Sequence, residues 1–91
     1  MESEWTWVFE KRANKQFQKL DKVTKVRIIA WLDKNILSCA DPRLKGEALS
    51  GELGEFWKYR IGKYRLIADI KDEEFIVLIM KVAKRSEAYN R

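Results

Sequence analysis

Histidine is absent from this 91-residue chain, and cysteine and proline occur once each, as Cys39 and Pro42. Without histidine the sequence lacks the commonest metal ligand and the usual general base near neutral pH. A lone cysteine excludes an intrachain disulfide and a multi-cysteine zinc site, which points to a cytoplasmic protein. Nothing near Cys39 completes a nucleophilic constellation, so it reads as an inert, partly buried thiol at a helix end. The opening MESEWTW has neither a basic segment nor an apolar one after it, and no apolar run is long enough to span a bilayer, so secretion and membrane insertion are not expected. Glycine-rich phosphate loops and metal-ligand clusters are also missing, and neither a metal nor a small-molecule cofactor is implied.

What is present suits one small domain covering residues 1–91: 46% hydrophobic residues, with four Trp, four Phe and three Tyr to build a core. Nineteen Lys and Arg against 14 Asp and Glu leave a net charge of +5, which favours a polyanionic partner without naming it.

Trp5, Trp7 and Phe9 alternate with polar or smaller residues, the period of a strand with one buried face. From Lys11 the period becomes helical, with Ala13, Phe17 and Leu20 inside and Lys11, Arg12, Lys15, Gln18 and Lys19 outside. Asp21 is placed to cap a second helix whose apolar stripe is expected to be Val23, Val26, Ile29, Ala30, Ile36 and Leu37, with Ile28, Trp31 and Leu32 as further apolar residues off it. Asp41-Pro42 stops that helix. The connector that follows holds three of the four glycines, and Leu44, Leu49 and Leu53 are expected to pin it to the core.

The stretch FWKYRIGKYRLIADI, residues 56–70, alternates apolar and cationic residues about a Gly62-Lys63 turn. A two-residue turn pairs Ile61 with Tyr64, Arg60 with Arg65 and Tyr59 with Leu66. One face then carries the apolar residues and the other carries Lys58, Arg60 and Arg65. Opposed like charges cost stability, so an anion between Arg60 and Arg65 is one explanation and splaying into solvent is the other. The last strand, FIVLIMKVAKR, follows a second turn. A three-residue turn puts Phe75, Val77, Ile79, Lys81, Ala83 and Arg85 on the Arg65 face, whereas a two-residue turn flips the strand. Tyr89 lies beyond, able to fold back over the patch.

The cationic set suits phosphate: arginine grips phosphate oxygens at two points and can stabilise a pentacovalent transition state, while a tyrosine ring stacks on a base. RNA supplies its own nucleophile, the 2′-hydroxyl. Taken alone, these residues support RNA binding better than RNA cleavage.

The order of elements, the L-x-G of Leu49 to Gly51, the Y-R-I-G-x-Y-R-L run of Tyr59 to Leu66 and an apolar strand ending in K-R with a tyrosine shortly after resemble the RelE/ParE superfamily of bacterial type II toxins. The resemblance implies an α+β fold: an N-terminal strand, a helical hairpin and a three-stranded antiparallel meander, with the helices on one face of a four-stranded sheet, the RelE-like microbial RNase fold. It implies a cognate antitoxin partner. In the RelE branch it implies metal-independent cleavage of mRNA in the ribosomal A site, with Lys58, Arg60, Arg65, Arg85 and Tyr89 as the catalytic set and Lys81 and Lys84 as RNA contacts. Arg60 stands where the best-known RelE pattern has lysine, which makes Lys58 the stronger base candidate. Lys84 occupies the position beside the final arginine where some relatives place histidine, so histidine chemistry cannot operate. The ParE branch instead implies gyrase inhibition without cleavage, and a non-catalytic RNA-binding module is a third reading.

Overall fold

The computed structural model describes residues 4–49 and 56–84. The first strand, β1 (Thr6–Phe9), follows from the aromatic alternation: Trp5 is buried, and Trp7 and Phe9 are half-buried on the same side. Phe9 stacks on Phe17 of the first helix, α1 (Lys11–Gln18), at 4.7 Å between ring centroids. Helix α1 has only two turns and would not persist alone. It is held by burial of Ala13 and Phe17 and by the Glu10 carboxylate, which accepts from the backbone N–H groups of Arg12 and Ala13.

Asp21 caps α2 (Lys22–Asn35), as expected: its carboxylate accepts from the Thr24 N–H at 3.2 Å and from the Thr24 hydroxyl at 2.6 Å. The buried face of α2 agrees with the expected stripe at Ile36 and at Ile29, which packs against the core, and differs elsewhere. Ile28 and Leu32, with Ile36 just beyond, are fully buried, whereas Val23 and Val26 are 73% and 60% exposed. Residues i, i+4 and i+8 fall on one side of a helix, and 28, 32 and 36 are such a set. Choosing them buries three large aliphatic side chains, each contributing about 1.5–3 kcal/mol relative to exposure. The same rotation lets Trp31 meet Tyr59, at 5.4 Å between rings.

The sheet has five strands, one more than expected, in the order β1-β5-β4-β3-β2, with β2 (Glu47–Ala48), β3 (Trp57–Ile61), β4 (Tyr64–Lys71) and β5 (Ile76–Lys84). Strand β1 runs parallel to β5, and the other pairs are antiparallel. The extra strand is too short to show any period in the sequence. Both helices pack on one face, where Tyr59, Ile61, Leu66, Ala68, Val77, Ile79 and Val82 complete the core.

The β3–β4 hairpin has the expected register, Ile61 with Tyr64, Arg60 with Arg65 and Tyr59 with Leu66. Gly62 turns at φ 60° while Lys63 keeps a negative φ, the pattern of a II′ turn with glycine first. The β4–β5 connection departs from the three-residue expectation. Lys71 pairs with Ile76, so residues 72–75 form the turn, with Phe75 in the left-handed region at φ 55°. This even-numbered turn places Val77 and Ile79 on the core face instead of the Arg65 face. A β-bulge then intervenes: Ala68 pairs with Ile79 and Ile67 with Lys81, leaving Met80 as the extra residue. Beyond it Lys81 and Ala83 do lie on the Arg65 face.

Candidate functional site

The face turned away from the helices carries two cross-strand rows. One is Lys58, Ile67 and Lys81, and the other is Arg60, Arg65 and Ala83, each spanning β3, β4 and β5. Because side chains alternate along a strand, these six residues project to the same side. The structure thus brings together Lys58, Arg60, Arg65 and Lys81. It sets Lys84 on the opposite side, where it is exposed and paired with Tyr64. Arg85 and Tyr89 lie outside the described residues.

The two arginines differ in environment. Arg60 on β3 is exposed, whereas Arg65, on the central strand β4, is only 5% exposed. A small residue, Ala83, is its partner on β5. Withdrawal from water strengthens the attraction between such a guanidinium and any anion brought to it.

A carboxylate that sequence reasoning did not place in the patch also belongs to it. Glu47 of β2 pairs with Lys58 in the ladder, and its Oε1 lies 3.3 Å from Lys58 Nζ. The ammonium side chain is 17% exposed and the carboxylate 68%, so the pair opens to solvent on the acidic side. No strand signal marked Glu47, because β2 is two residues long in a glycine-rich connector.

The connector is fixed by polar contacts to backbone more than by its leucines. Pro42 is buried, and Asp41 caps the short 3₁₀ turn Pro42–Lys45 by accepting from the Arg43 N–H at 3.0 Å. The Tyr59 hydroxyl donates to the Pro42 carbonyl at 2.8 Å and Trp57 Nε1 to the Arg43 carbonyl at 3.1 Å. Leu44, expected to pin the segment, is 73% exposed; Leu49 is half-buried, and Leu53 lies outside the described residues. Arg43 donates to both carboxylate oxygens of Asp72, at 2.9 and 2.6 Å, tying the connector to the β4–β5 turn. Gly46 rests against β3 so closely that a Cβ would stand 2.4 Å from the Lys58 carbonyl oxygen. Leu44, Lys45, Gly46 and Glu47 thereby form one wall of an open cleft of about 310 Å³, and Lys58 and Arg60 form the other.

Two groups are removed from acid–base work by burial. It pushes the Tyr59 hydroxyl well above the ordinary tyrosine range, and it raises the half-buried Cys39 thiol, against its becoming a thiolate. No group of three or more potential metal ligands occurs among the described residues, and no helix among them is long and apolar enough to cross a membrane.

The comparisons with known proteins agree with this architecture. Residues 8–89 match the family model described as the ParE toxin of the type II toxin-antitoxin system parDE. Among curated protein sequences none matches. The toxin-antitoxin complex RelBE2 from Mycobacterium tuberculosis contains a similar chain, with a TM-score of 0.81 and 26% identity over 91% of this chain and 93% of that one. The isolated RelE toxin of E. coli aligns with a TM-score of 0.69 and 26% identity over 93% of this chain and 90% of that one. The archaeal RelE-RelB complex from Pyrococcus horikoshii shares the fold at 24% identity, with a TM-score of 0.65 over 91% and 97% of the two chains. With the match running through nearly its whole length, the chain belongs to the RelE/ParE superfamily and is a toxin of a type II toxin-antitoxin system.

Proposed function

We propose that this toxin is a ribosome-dependent mRNA endonuclease, a metal-independent RNase that cuts in the A site and stops translation. The observation that carries the reading is the pair of rows on the open sheet face, in which an exposed Arg60 stands opposite a buried Arg65 with Lys58 and Lys81 in the next row. Like charges set opposite each other in a sheet cost stability, and a phosphate between them offsets that cost.

In the reaction the 2′-hydroxyl gives up its proton and O2′ attacks the adjacent phosphorus. The P–O5′ bond breaks and O5′ takes a proton, leaving a 2′,3′-cyclic phosphate and a free 5′-hydroxyl. Lys58 assists the deprotonation: its ammonium polarises the hydroxyl, and the Glu47 carboxylate beside it is the acceptor at hand. Arg65 and Arg60 hold the phosphate, Arg85 stabilises or protonates the leaving oxygen, Tyr89 orients the nucleotide, and Lys81 contacts RNA, while Lys84, on the other side of the sheet, takes no part at this phosphate. The ribosome fixes the RNA in line for attack, so free RNA is cut slowly or not at all. The site of action is the cytoplasm, and a cognate antitoxin neutralises the toxin, as the antitoxin-bound forms of its structural neighbours suggest.

The second reading, inhibition of DNA gyrase without cleavage, is favoured by the ParE description of the family model. Mapping mRNA ends in a translating extract separates the two. Codon-phased cuts abolished by Arg65→Ala are expected; intact mRNA together with gyrase-linked DNA breaks would overturn the nuclease.

A further inference from the structure

Arg60 lines two depressions. One is the cleft beside Glu47 and Lys58; the other is a groove of about 360 Å³ where the β3–β4 turn lies over α2, with Arg60, Ile61 and Gly62 on one side and Arg27, Ala30, Trp31 and Lys34 on the other. Residues 27, 30, 31 and 34 follow the i, i+3, i+4, i+7 spacing and so make one stripe. A helix whose stripe faced only solvent would gain from acidic partners for its cations at that spacing, and here there are none. Asp33 is the only acid in α2 against Lys22, Lys25, Arg27 and Lys34, and its Oδ1 accepts from Trp7 Nε1 at 3.1 Å. No ion pair among the described residues involves Arg27, Lys34 or Arg60. The absence of a side chain at Gly62 keeps the turn open to Arg27, whose Nη1 would lie 2.9 Å from a Cβ there.

Between the two cations of the stripe stands Trp31, half-buried against Tyr59 and lining the groove, with Ala30 leaving space beside it. Arg27 and Lys34 are about 10 Å apart along the helix axis. Two cations flanking an aromatic wall suit a nucleotide, because every base has a face that can stack and the phosphates on either side meet the charges. An acidic peptide would satisfy the charges and leave the indole unused.

We propose that this groove is a second subsite, which takes single-stranded RNA running past Arg60 with its phosphates on Arg27 and Lys34 and a base against Trp31. The nuclease reading supplies only the identity of the strand that passes Arg60.

The test is equilibrium binding of a short, labelled 2′-O-methyl RNA, which cannot be cleaved, to the full chain over a range of salt. Arg27 and Lys34 are exposed, so the double variant Arg27→Ala/Lys34→Ala should fold as the parent, which a thermal melt checks. Binding at low salt should weaken by about tenfold or more, and the log–log salt slope should become shallower by about 1.4, the loss of two phosphate contacts at about 0.7 each. An abasic strand of equal charge should bind the parent roughly fivefold or more weakly than the intact strand. Unchanged affinity and slope in the double variant would overturn the subsite, and so would equal binding of the abasic strand or of poly-glutamate. If the parent cuts nothing in the translating extract while binding still depends on Arg27 and Lys34, the nuclease reading fails and the subsite stands. If cutting is phased and binding is indifferent to the pair, the subsite fails and the nuclease stands.

Discussion

Arg60 and Arg65 stand directly opposite each other in the β3–β4 ladder, the first exposed and the second buried. Like charges so placed destabilise a sheet by about 0.2–1 kcal/mol, and mutation can separate that cost from its use. Arg60→Ala should leave folding stability unchanged or raise it by up to about 1 kcal/mol at low salt while lowering phased mRNA cleavage at least tenfold. Denaturant melts and end mapping on one preparation check both halves. A fall in stability would show that the pair serves the fold.

The Tyr59 hydroxyl spends its only donor on the Pro42 carbonyl, inside the core. Tyr59→Phe keeps the ring and leaves that carbonyl without its partner, which should cost about 1–3 kcal/mol in a urea melt. The loss should fall on the connector, so Glu47 and Lys58 should feel it although neither is touched.

Gly46 offers a sharper probe of the same contact. A Cβ there would stand 2.4 Å from the Lys58 carbonyl and 2.8 Å from both Trp57 Cδ1 and Tyr59 Cδ1. Gly46→Ala should therefore cost about 1–3 kcal/mol by thermal or chemical denaturation. It should also weaken cleavage beyond what instability explains, because the connector cannot keep its distance from β3.

Acid should loosen the tie between the connector and the β4–β5 turn. Arg43 holds the Asp72 carboxyl below its ordinary value of 3.8, first through the hydrogen bonds and then through charge. A carboxylate whose value is lowered by folding stabilises the protein above its unfolded value, and the effect is lost as the pH falls through the lower, folded one. The stability difference between the parent and Asp72→Asn should therefore be constant from neutral pH down to about 5 and shrink below about 4. Melts across that range check it; a difference persisting at about pH 2 would assign it to something other than ionisation.

Legibility in the sequence followed the length scale of the signal. The β3–β4 hairpin could be read to the residue, because period two and a glycine turn both speak locally. The Asp21 cap and the general order of elements were readable for the same reason. The buried face of α2 was not, since Val23 and Val26 compete with Ile28 and Leu32 and only the position of Trp31 over Tyr59 decides between them. Glu47 escaped notice because its strand is two residues long and exists through contact with β3. Lys81 reached the expected face by an unexpected route, an even-numbered turn followed by a bulge. Lys84 did not join it.

The extra residue at Met80 makes β5 two strands in one, set in opposite phase. Before it, alternate residues answer to the helices; after it, alternate residues answer to the open face. Closing the bulge with all residues kept would act as a frameshift in three dimensions: Lys81 would turn inward and Val82 outward, with the sequence unchanged. The positions of this segment are thus counted from the bulge as well as from the turn: deleting Met80 would leave Lys81 opposite Ile67 in a regular ladder, whereas a ladder that kept Met80 and lost the bulge would take a cation from the face and put a charge in the core.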